Sequence, residues 1–236
     1  MMHEIVARIH SRVHPAARLL GLLLLAGLIP ACYSSSGKTY MAPPPPGGVG
    51  TIFSDGFAST FPAPNWAVTV NPAASASAAT VYAPPNYYLD MTDTARPGSV
   101  SALTTMTFTP EPLTFVVNLA YSAMSNSTDT VSVQIVDNSG PPVVLAQAVL
   151  DANAQMITFT VGGGAATSTA FPAGTFENVT FTINSSNQGV WSVGGTSTTA
   201  AAFGSHTTAL RLVANYATTA NPAPTFQFHS VIVSNP

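Results

Sequence analysis

The chain has 236 residues, of which only 6% are charged, and its formal net charge at pH 7 is −3. Six lysines and arginines against nine acidic residues provide no basic surface of the kind that nucleic-acid-binding proteins use, so nucleic acid is not an expected partner. The single cysteine, Cys32, can form neither a disulfide framework nor a cysteine zinc site, so the hydrophobic core must stabilise the fold without them.

The N-terminal segment has the layout of a secretory signal peptide. Three arginines precede the apolar run Leu19–Ile29, and small residues follow it before Cys32. As a helix this run would span only ~16 Å, about half of a bilayer core, so it is too short to remain as a transmembrane helix. Residues 1–31 are therefore predicted to be a signal peptide.

The four residues Ile29-Pro30-Ala31-Cys32 resemble the lipobox of bacterial lipoproteins. In that family the cysteine receives a diacylglycerol and becomes the new N-terminus. The resemblance implies that Cys32 is the lipid-attachment residue and that a membrane is a partner. Tyr33 is not the aspartate that retains enterobacterial lipoproteins at the inner membrane, so the outer membrane is the implied location. The alternative is an ordinary signal peptide cut near Ala31, followed by an inert buried cysteine.

A linker is predicted over residues 32–50, directly after the proposed anchor. It contains four consecutive prolines, Pro43–Pro46, which favour an extended polyproline II spacer of about 3.1 Å per residue. Such a run can also be a ligand for aromatic-lined grooves, although its place between anchor and domain favours a spacer. A single domain is then expected over residues 51–236.

Residues 51–236 alternate apolar and polar side chains, a pattern that predicts β-strands rather than helices. Short strands separated by Gly-, Asn- and Asp-rich turns indicate an all-β sandwich of two antiparallel sheets. The predicted strands are Thr51–Phe53, Trp66–Val70, Ala79–Tyr82, Tyr87–Met91, Val100–Phe108, Leu113–Tyr121, Thr130–Val136, Val143–Leu150, Met156–Val161, Val179–Asn184, Val190–Val193, Leu210–Ala214 and Thr225–Val233.

The alternation is clearest in the second half of the chain. Val179, Phe181 and Ile183 fall on one face of their strand, and Trp191 and Val193 fall on one face of the next. The connection Asn-Ser-Ser-Asn-Gln-Gly suits a hairpin. Trp191 is therefore predicted to pack in the core rather than to form an exposed platform for a sugar.

These segments, with the closing strand and the opening residues, resemble the laminin-G-like and concanavalin A-like jelly-roll superfamily. The resemblance rests on Phe176–Ile183, Val190–Gly195, Phe226–Val233 and Phe53–Phe57 with Trp66. It implies a concanavalin A-like β-sandwich whose last strand pairs with the first. Glu177-Asn178, Gly194-Gly195 and His229-Ser230 stand where relatives often carry tryptophan-histidine or the acidic residues that organise calcium. No metal or other cofactor is therefore implied.

The acidic residues and histidines do not form a recognisable catalytic pattern. The domain has two glutamates, Glu111 and Glu177, and neither has a carboxylate two or four residues further on, as retaining glucanases require. His206 lies in a predicted exposed turn, and His229 lies on the polar face of the last strand. Hydrolysis is not expected, and the domain is predicted to be non-enzymatic.

Two segments of the chain are candidates for binding calcium: Asp137–Gly140 lacks the later acids of a calcium loop and is predicted to be a hairpin turn, and the other segment contains Asp90 and Asp93. Two oxygen ligands fall short of the six to eight that calcium needs, so turn capping by Asp93 is the favoured interpretation.

Glycan binding is the leading functional hypothesis, on the analogy of the fold. Tyr82, Tyr87 and Tyr88 flank a Pro/Asn-rich loop and are the predicted aromatic platform, while Asn118 and Gln134 are predicted on the polar faces of central strands. The hypothesis is a membrane-anchored binding or adhesion module. The alternatives are a structural or protein-interacting envelope protein and, less favoured, a glycoside hydrolase-like enzyme.

Overall fold

The computed structural model describes residues 50–71, 76–93, 97–109, 112–122, 128–217 and 224–235. All regular structure in these ranges is β-strand and turn. No helix among the described residues is long and apolar enough to cross a membrane. Cys32 and the predicted signal peptide and linker lie outside the described ranges, apart from Gly50.

The described ranges contain sixteen strands, which form two antiparallel sheets. Their bounds are β1 Thr51–Asp55, β2 Trp66–Asn71, β3 Ala76–Ala83, β4 Asn86–Asp93, β5 Gly98–Thr104, β6 Leu113–Tyr121, β7 Thr130–Asp137, β8 Val143–Asp151, β9 Met156–Val161, β10 Thr167–Ala170, β11 Glu177–Ile183, β12 Gln188–Val193, β13 Thr196–Ser197, β14 Ala201–Ala202, β15 Thr208–Tyr216 and β16 Phe226–Ser234. Sheet A has the order β13-β12-β11-β6-β16-β4-β3, with β1 on β16 and β14 on β12. Sheet B has the order β10-β9-β8-β7-β15-β5-β2.

Every predicted strand is present, and three short ones, β10, β13 and β14, were not predicted. The predicted strand Val100–Phe108 was too long, because β5 ends at Thr104. There the Thr104 hydroxyl donates to the carbonyl of Met106 and accepts from the backbone N–H of Leu210, so the chain leaves the sheet. Phe108 then forms an isolated bridge with Thr208.

The last strand, β16, lies in the middle of sheet A and pairs with the first strand, β1, as the family resemblance implied. The first half of β16 pairs with β4, and Val231–Ser234 pair with β1. On its other edge β16 pairs with β6, where the register shifts between Phe228 and Ser230. His229 is the extra residue of this bulge, at the point where the partner of β16 changes from β4 to β1.

The core fills the space between the sheets and is rich in aromatic side chains. Trp191 of sheet A is fully buried and stacks on Phe159 of sheet B, with ring centroids 5.9 Å apart. Its indole N–H donates to the carbonyl of Thr160 at 3.0 Å, so its one polar atom is satisfied. The prediction that Trp191 packs in the core is confirmed, and burying such a side chain stabilises the fold by about 3 kcal/mol.

Candidate functional site

One row of side chains crosses six strands on the outer face of sheet B, the face turned away from sheet A. Strand pairing aligns these residues directly opposite one another: Ala67, Leu103, Arg211, Gln134, Gln147 and Thr160. Strands lie about 4.8 Å apart, so the row spans roughly 24 Å. We call it the central row of sheet B. Its length suits a ligand with several repeating units.

Hydrogen bonds connect the middle of the central row. Nε of Arg211 donates to Oε1 of Gln134 at 2.7 Å. The amide nitrogen of Gln134 donates to Oγ of Ser132 at 3.1 Å and makes a longer contact of 3.5 Å with Oε1 of Gln147. Because both ends of the Gln134 amide are engaged, its orientation and that of the guanidinium are fixed together.

One further row of side chains lies on each side of the central row. Their residues on the middle strands β7 and β15 include Ser132, Val136 and Ala209, which are shielded from solvent. Ser132 is 3% exposed, and Val136 and Ala209 are fully buried, although none of the three belongs to the core cluster. Neighbouring side chains on this outer face therefore cover all three. Arg211 and Gln134, at the middle of the central row, lie half-buried among them.

A row in which five of seven side chains carry a hydroxyl group lies beside the central row. The strand pairing aligns Thr69, Ser101, Val213, Ser132, Val149, Thr158 and Ser168. The hydroxyls of Thr158 and Ser168 lie 2.8 Å apart and hydrogen-bond to each other. Together the two rows present amide, guanidinium and hydroxyl groups, which recognise ligands rich in hydroxyl groups.

The outer face of sheet A has a different character, with an aromatic cluster of Tyr88, Phe176 and His229. Tyr88 and Phe176 stack with ring centroids 5.2 Å apart, and His229 lies 5.4 Å from Tyr88 and 5.8 Å from Phe176. Burial lowers the pKa of His229 from its ordinary value. Each ring is half-buried and contacts the other two, so the cluster covers sheet A more than it offers an open platform.

Two polar pairs accompany the aromatic cluster on sheet A. Asn118 donates to Oδ1 of Asn178 at 2.8 Å, and its own Oδ1 is buried without a hydrogen-bond partner among the described residues. Gln227 donates to Asp90 at 3.1 Å, and burial raises the pKa of Asp90 despite this hydrogen bond. Asn118 is only 3% exposed, so a ligand could reach it only after its neighbours moved.

The structure does not bring the predicted glycan-binding residues together. Tyr82 and Tyr87 are cross-strand neighbours with ring centroids 4.7 Å apart, whereas Tyr88 points to the opposite face of β4. All three lie in strands that flank a tight turn. Asn118 and Gln134 lie on the outer faces of different sheets, and of the five predicted residues only Gln134 belongs to the central row.

Sequence reasoning missed Arg211, Gln147 and Ser132. The signal was available in part, because alternation with the buried Leu210 and Leu212 places Arg211 on an outer face. The missing information was that β15 pairs with β7, which brings Arg211 beside Gln134 from 77 positions away.

The carboxylates and histidines lie mostly away from the central row. Asp137, at the end of β7, accepts from the backbone N–H of Ser139 at 2.9 Å and binds Nδ1 of His206 at 2.9 Å. These contacts lower the pKa of Asp137 from 3.8 to about 2, with the Ser139 hydrogen bond as the largest cause. His206 is therefore part of a half-buried pair, and the prediction of a simple exposed turn was incomplete.

The possible calcium ligands do not converge. Asp90 and Asp93 are three positions apart on β4, so they lie on opposite faces of the strand, with Asp93 buried on the core side. Within the described ranges, no three side chains of histidine, cysteine, aspartate or glutamate are grouped as a metal site would need. Glu177 begins β11, and Glu111 lies outside the described residues.

Comparison with solved structures finds the same two-sheet arrangement in other proteins. The carbohydrate recognition domain of Emp47p is 13% identical, with a TM-score of 0.59 over 79% of this chain and 96% of that one. Lectin UEA-II, in complex with galactose, is 13% identical, with a TM-score of 0.56 over 79% and 100%. The endo-1,3-beta-glucanase (laminarinase) catalytic domain of Thermotoga petrophila is 12% identical, with a TM-score of 0.52 over 80% and 98%.

These neighbours confirm the predicted fold class, a concanavalin A-like jelly-roll β-sandwich. No family model and no curated protein sequence matches the chain. At such low identity the likeness carries the fold alone, so the function must be argued from the residues of the site.

Proposed function

We propose that this protein is an exported, lipid-anchored, non-catalytic glycan-binding module, and that the glycan lies across the outer face of sheet B. The observation that carries the proposal is the central row, in which Arg211, Gln134 and Gln147 form one hydrogen-bonded series. Polysaccharides present hydroxyl groups at regular intervals, and a row of fixed donors and acceptors about 24 Å long can bind several of them at once.

The chemistry of the central row favours binding over catalysis. Its members are Ala67, Leu103, Arg211, Gln134, Gln147 and Thr160, and none of these can act as the acid and nucleophile of a glycoside hydrolase. Solved structures of this fold include lectins and a glucanase, so the fold is compatible with either activity. The site residues, rather than the fold, support the lectin-like role.

The proposed anchor is the lipid on Cys32, with the proline-rich linker as a spacer before the domain. The lipobox-like residues support this, and the residue after the cysteine favours the outer membrane. A surface-anchored module without catalytic machinery would serve to hold extracellular polysaccharide at the cell envelope.

The test is binding of the purified full-length protein to a panel of soluble polysaccharides: laminarin, xylan, alginate and polygalacturonate. Gln147→Ala removes one amide of the central row, and Gln227→Ala removes a half-buried amide from the outer face of sheet A as a matched control. We expect Gln147→Ala to weaken binding about three- to tenfold, since a lost hydrogen bond costs on the order of 1 kcal/mol. Gln227→Ala should leave binding unchanged.

Absence of binding to the whole panel would overturn the proposal. Equal losses from both variants would also contradict it, because a glycan on sheet B cannot contact Gln227 on the other outer face.

A further inference from the structure

Among the described residues, Arg211 has no counter-charge. Its guanidinium is half-buried on the outer face of sheet B, and its one hydrogen bond to a described residue runs from Nε to the neutral amide of Gln134. The contact between His206 and Asp137 does not involve it, and no carboxylate among the described residues lies within 4.0 Å of the guanidinium nitrogens. Burial lowers the pKa of Arg211, in accord with a desolvated cation that has no nearby anion.

A desolvated cation is costly unless an anion accompanies it. Gln134 satisfies Nε, which leaves the two Nη groups free of hydrogen bonds to any described residue. A carboxylate is the group that fits two parallel N–H donors of a guanidinium, and such bidentate pairs are among the strongest hydrogen bonds in proteins. The position therefore favours a ligand that brings its own carboxylate.

The number of cations limits how much negative charge the ligand can carry. Arg211 is the only lysine or arginine in the described residues. A densely charged polyanion, such as nucleic acid or a heavily sulfated polymer, needs several cations along its path. A polysaccharide that can place one carboxylate at Arg211, and hydroxyl groups elsewhere along the row, matches a row with one guanidinium, two amides and a threonine.

We propose that Arg211 binds the carboxylate of a polysaccharide whose uronate residues are spaced among uncharged sugars, and that this carboxylate lies on the central row between Leu103 and Gln134. This inference rests on the proposed glycan-binding function of the same face and names its ligand class. Gln134 is a positioning residue in this arrangement: it holds Nε of Arg211 and is itself held by Ser132.

The experiment compares a largely methyl-esterified galacturonan, in which scattered residues keep a free carboxylate (the acid form), with its fully methyl-esterified form, in which the backbone is the same and every carboxylate is neutral. Binding of the full-length protein is measured by calorimetry for the wild type, Arg211→Lys and Arg211→Gln. The wild type should prefer the acid form by about ten- to a hundredfold, the range expected for a charge-assisted hydrogen-bonded pair. Arg211→Gln should abolish the preference, and Arg211→Lys should retain part of it, since lysine keeps the charge without the bidentate geometry.

Thermal melting checks that each variant folds. If Arg211→Gln does not fold, the preference for the acid form is compared between the wild type and Arg211→Lys. Gln147→Ala should weaken binding to the acid and the ester by the same factor, because it touches no charge. Equal wild-type binding to both forms would overturn the uronate inference and leave glycan binding in place. Tighter binding to dextran sulfate than to the acid form would overturn the choice of carboxylate. Failure to bind any polysaccharide would overturn both proposals.

Discussion

Gly189 of β12 faces the ring of Phe181 of β11 so closely that a Cβ at position 189 would lie 2.6 Å from Cζ of Phe181. The same Cβ would lie 3.0 Å from Cγ1 of Val161 in sheet B. Glycine therefore lets the two sheets approach each other at the edge where Trp191, Phe181 and Phe203 pack.

We predict that Gly189→Ala destabilises the domain by about 1–3 kcal/mol, the usual cost of overpacking a well-filled core. Thermal or urea unfolding measures the change. Gly163→Ala is the matched control, because a Cβ at position 163 meets nothing within 4 Å. An unchanged midpoint for Gly189→Ala would show that the ring of Phe181 can move aside.

A second prediction concerns pH and His229. Burial lowers the pKa of His229 in the folded protein, so between that value and 6.5 the unfolded chain binds more protons than the folded one. The stability that depends on neutral His229 is therefore present above about pH 6.5 and is lost as the pH falls below it. We expect the wild type to lose stability between pH 7 and pH 5, and His229→Gln to lose less over the same interval. If the free energy of unfolding changed equally with pH in the two proteins, His229 would not be the source of the pH dependence.

The two outer faces should differ in function as well as in composition. Tyr88→Ala removes one ring of the aromatic cluster on sheet A, and we expect it to lower stability by about 1–3 kcal/mol through lost packing. Glycan binding should be unchanged in this variant, since Tyr88 and the central row lie on different sheets. Loss of binding in a variant that melts normally would move the site to sheet A, beside Asn118 and Asp90.

The lipid anchor can be tested by intact mass and membrane fractionation of the wild type beside Cys32→Ala. We expect the wild type to carry a lipid-sized mass increase on a chain that starts at Cys32 and to fractionate with membranes. The variant should lack the added mass and be released. A soluble, unmodified wild type would instead indicate free secretion.

Alternation predicted much of this fold because one face of most strands is buried. It placed Val179, Phe181 and Ile183 on the core side, together with Trp191, and all four are fully buried. It could not find β10, Thr167–Ala170, which has no large apolar residue and lies at the edge of its sheet. A strand that contributes little to the core lacks the alternation of apolar and polar residues from which strands are predicted.

The candidate site was harder to predict than the fold, because alternation says which residues share a face of one strand and not which strands share a sheet. Asn118 and Gln134 both occupy polar positions of central strands, yet β6 and β7 belong to different sheets. Tyr87 and Tyr88 are adjacent in sequence, and for that reason the strand directs them to opposite faces. Long-range pairing decided the placement of Asn118 and Gln134, whereas alternation within β4 separated Tyr87 from Tyr88.

The pairing of Thr51 with Ser234 means that the two ends of the described domain lie side by side. A short flexible link could join them, and the chain could be opened instead at the exposed turn of Ser139 and Gly140 between β7 and β8. Such a circular permutant should fold with the same strand pairing and keep the central row intact. It would also move the attachment point of any tether from one edge strand of sheet A to a turn of sheet B, which offers a way to reorient the binding face on a surface without altering a residue of that face.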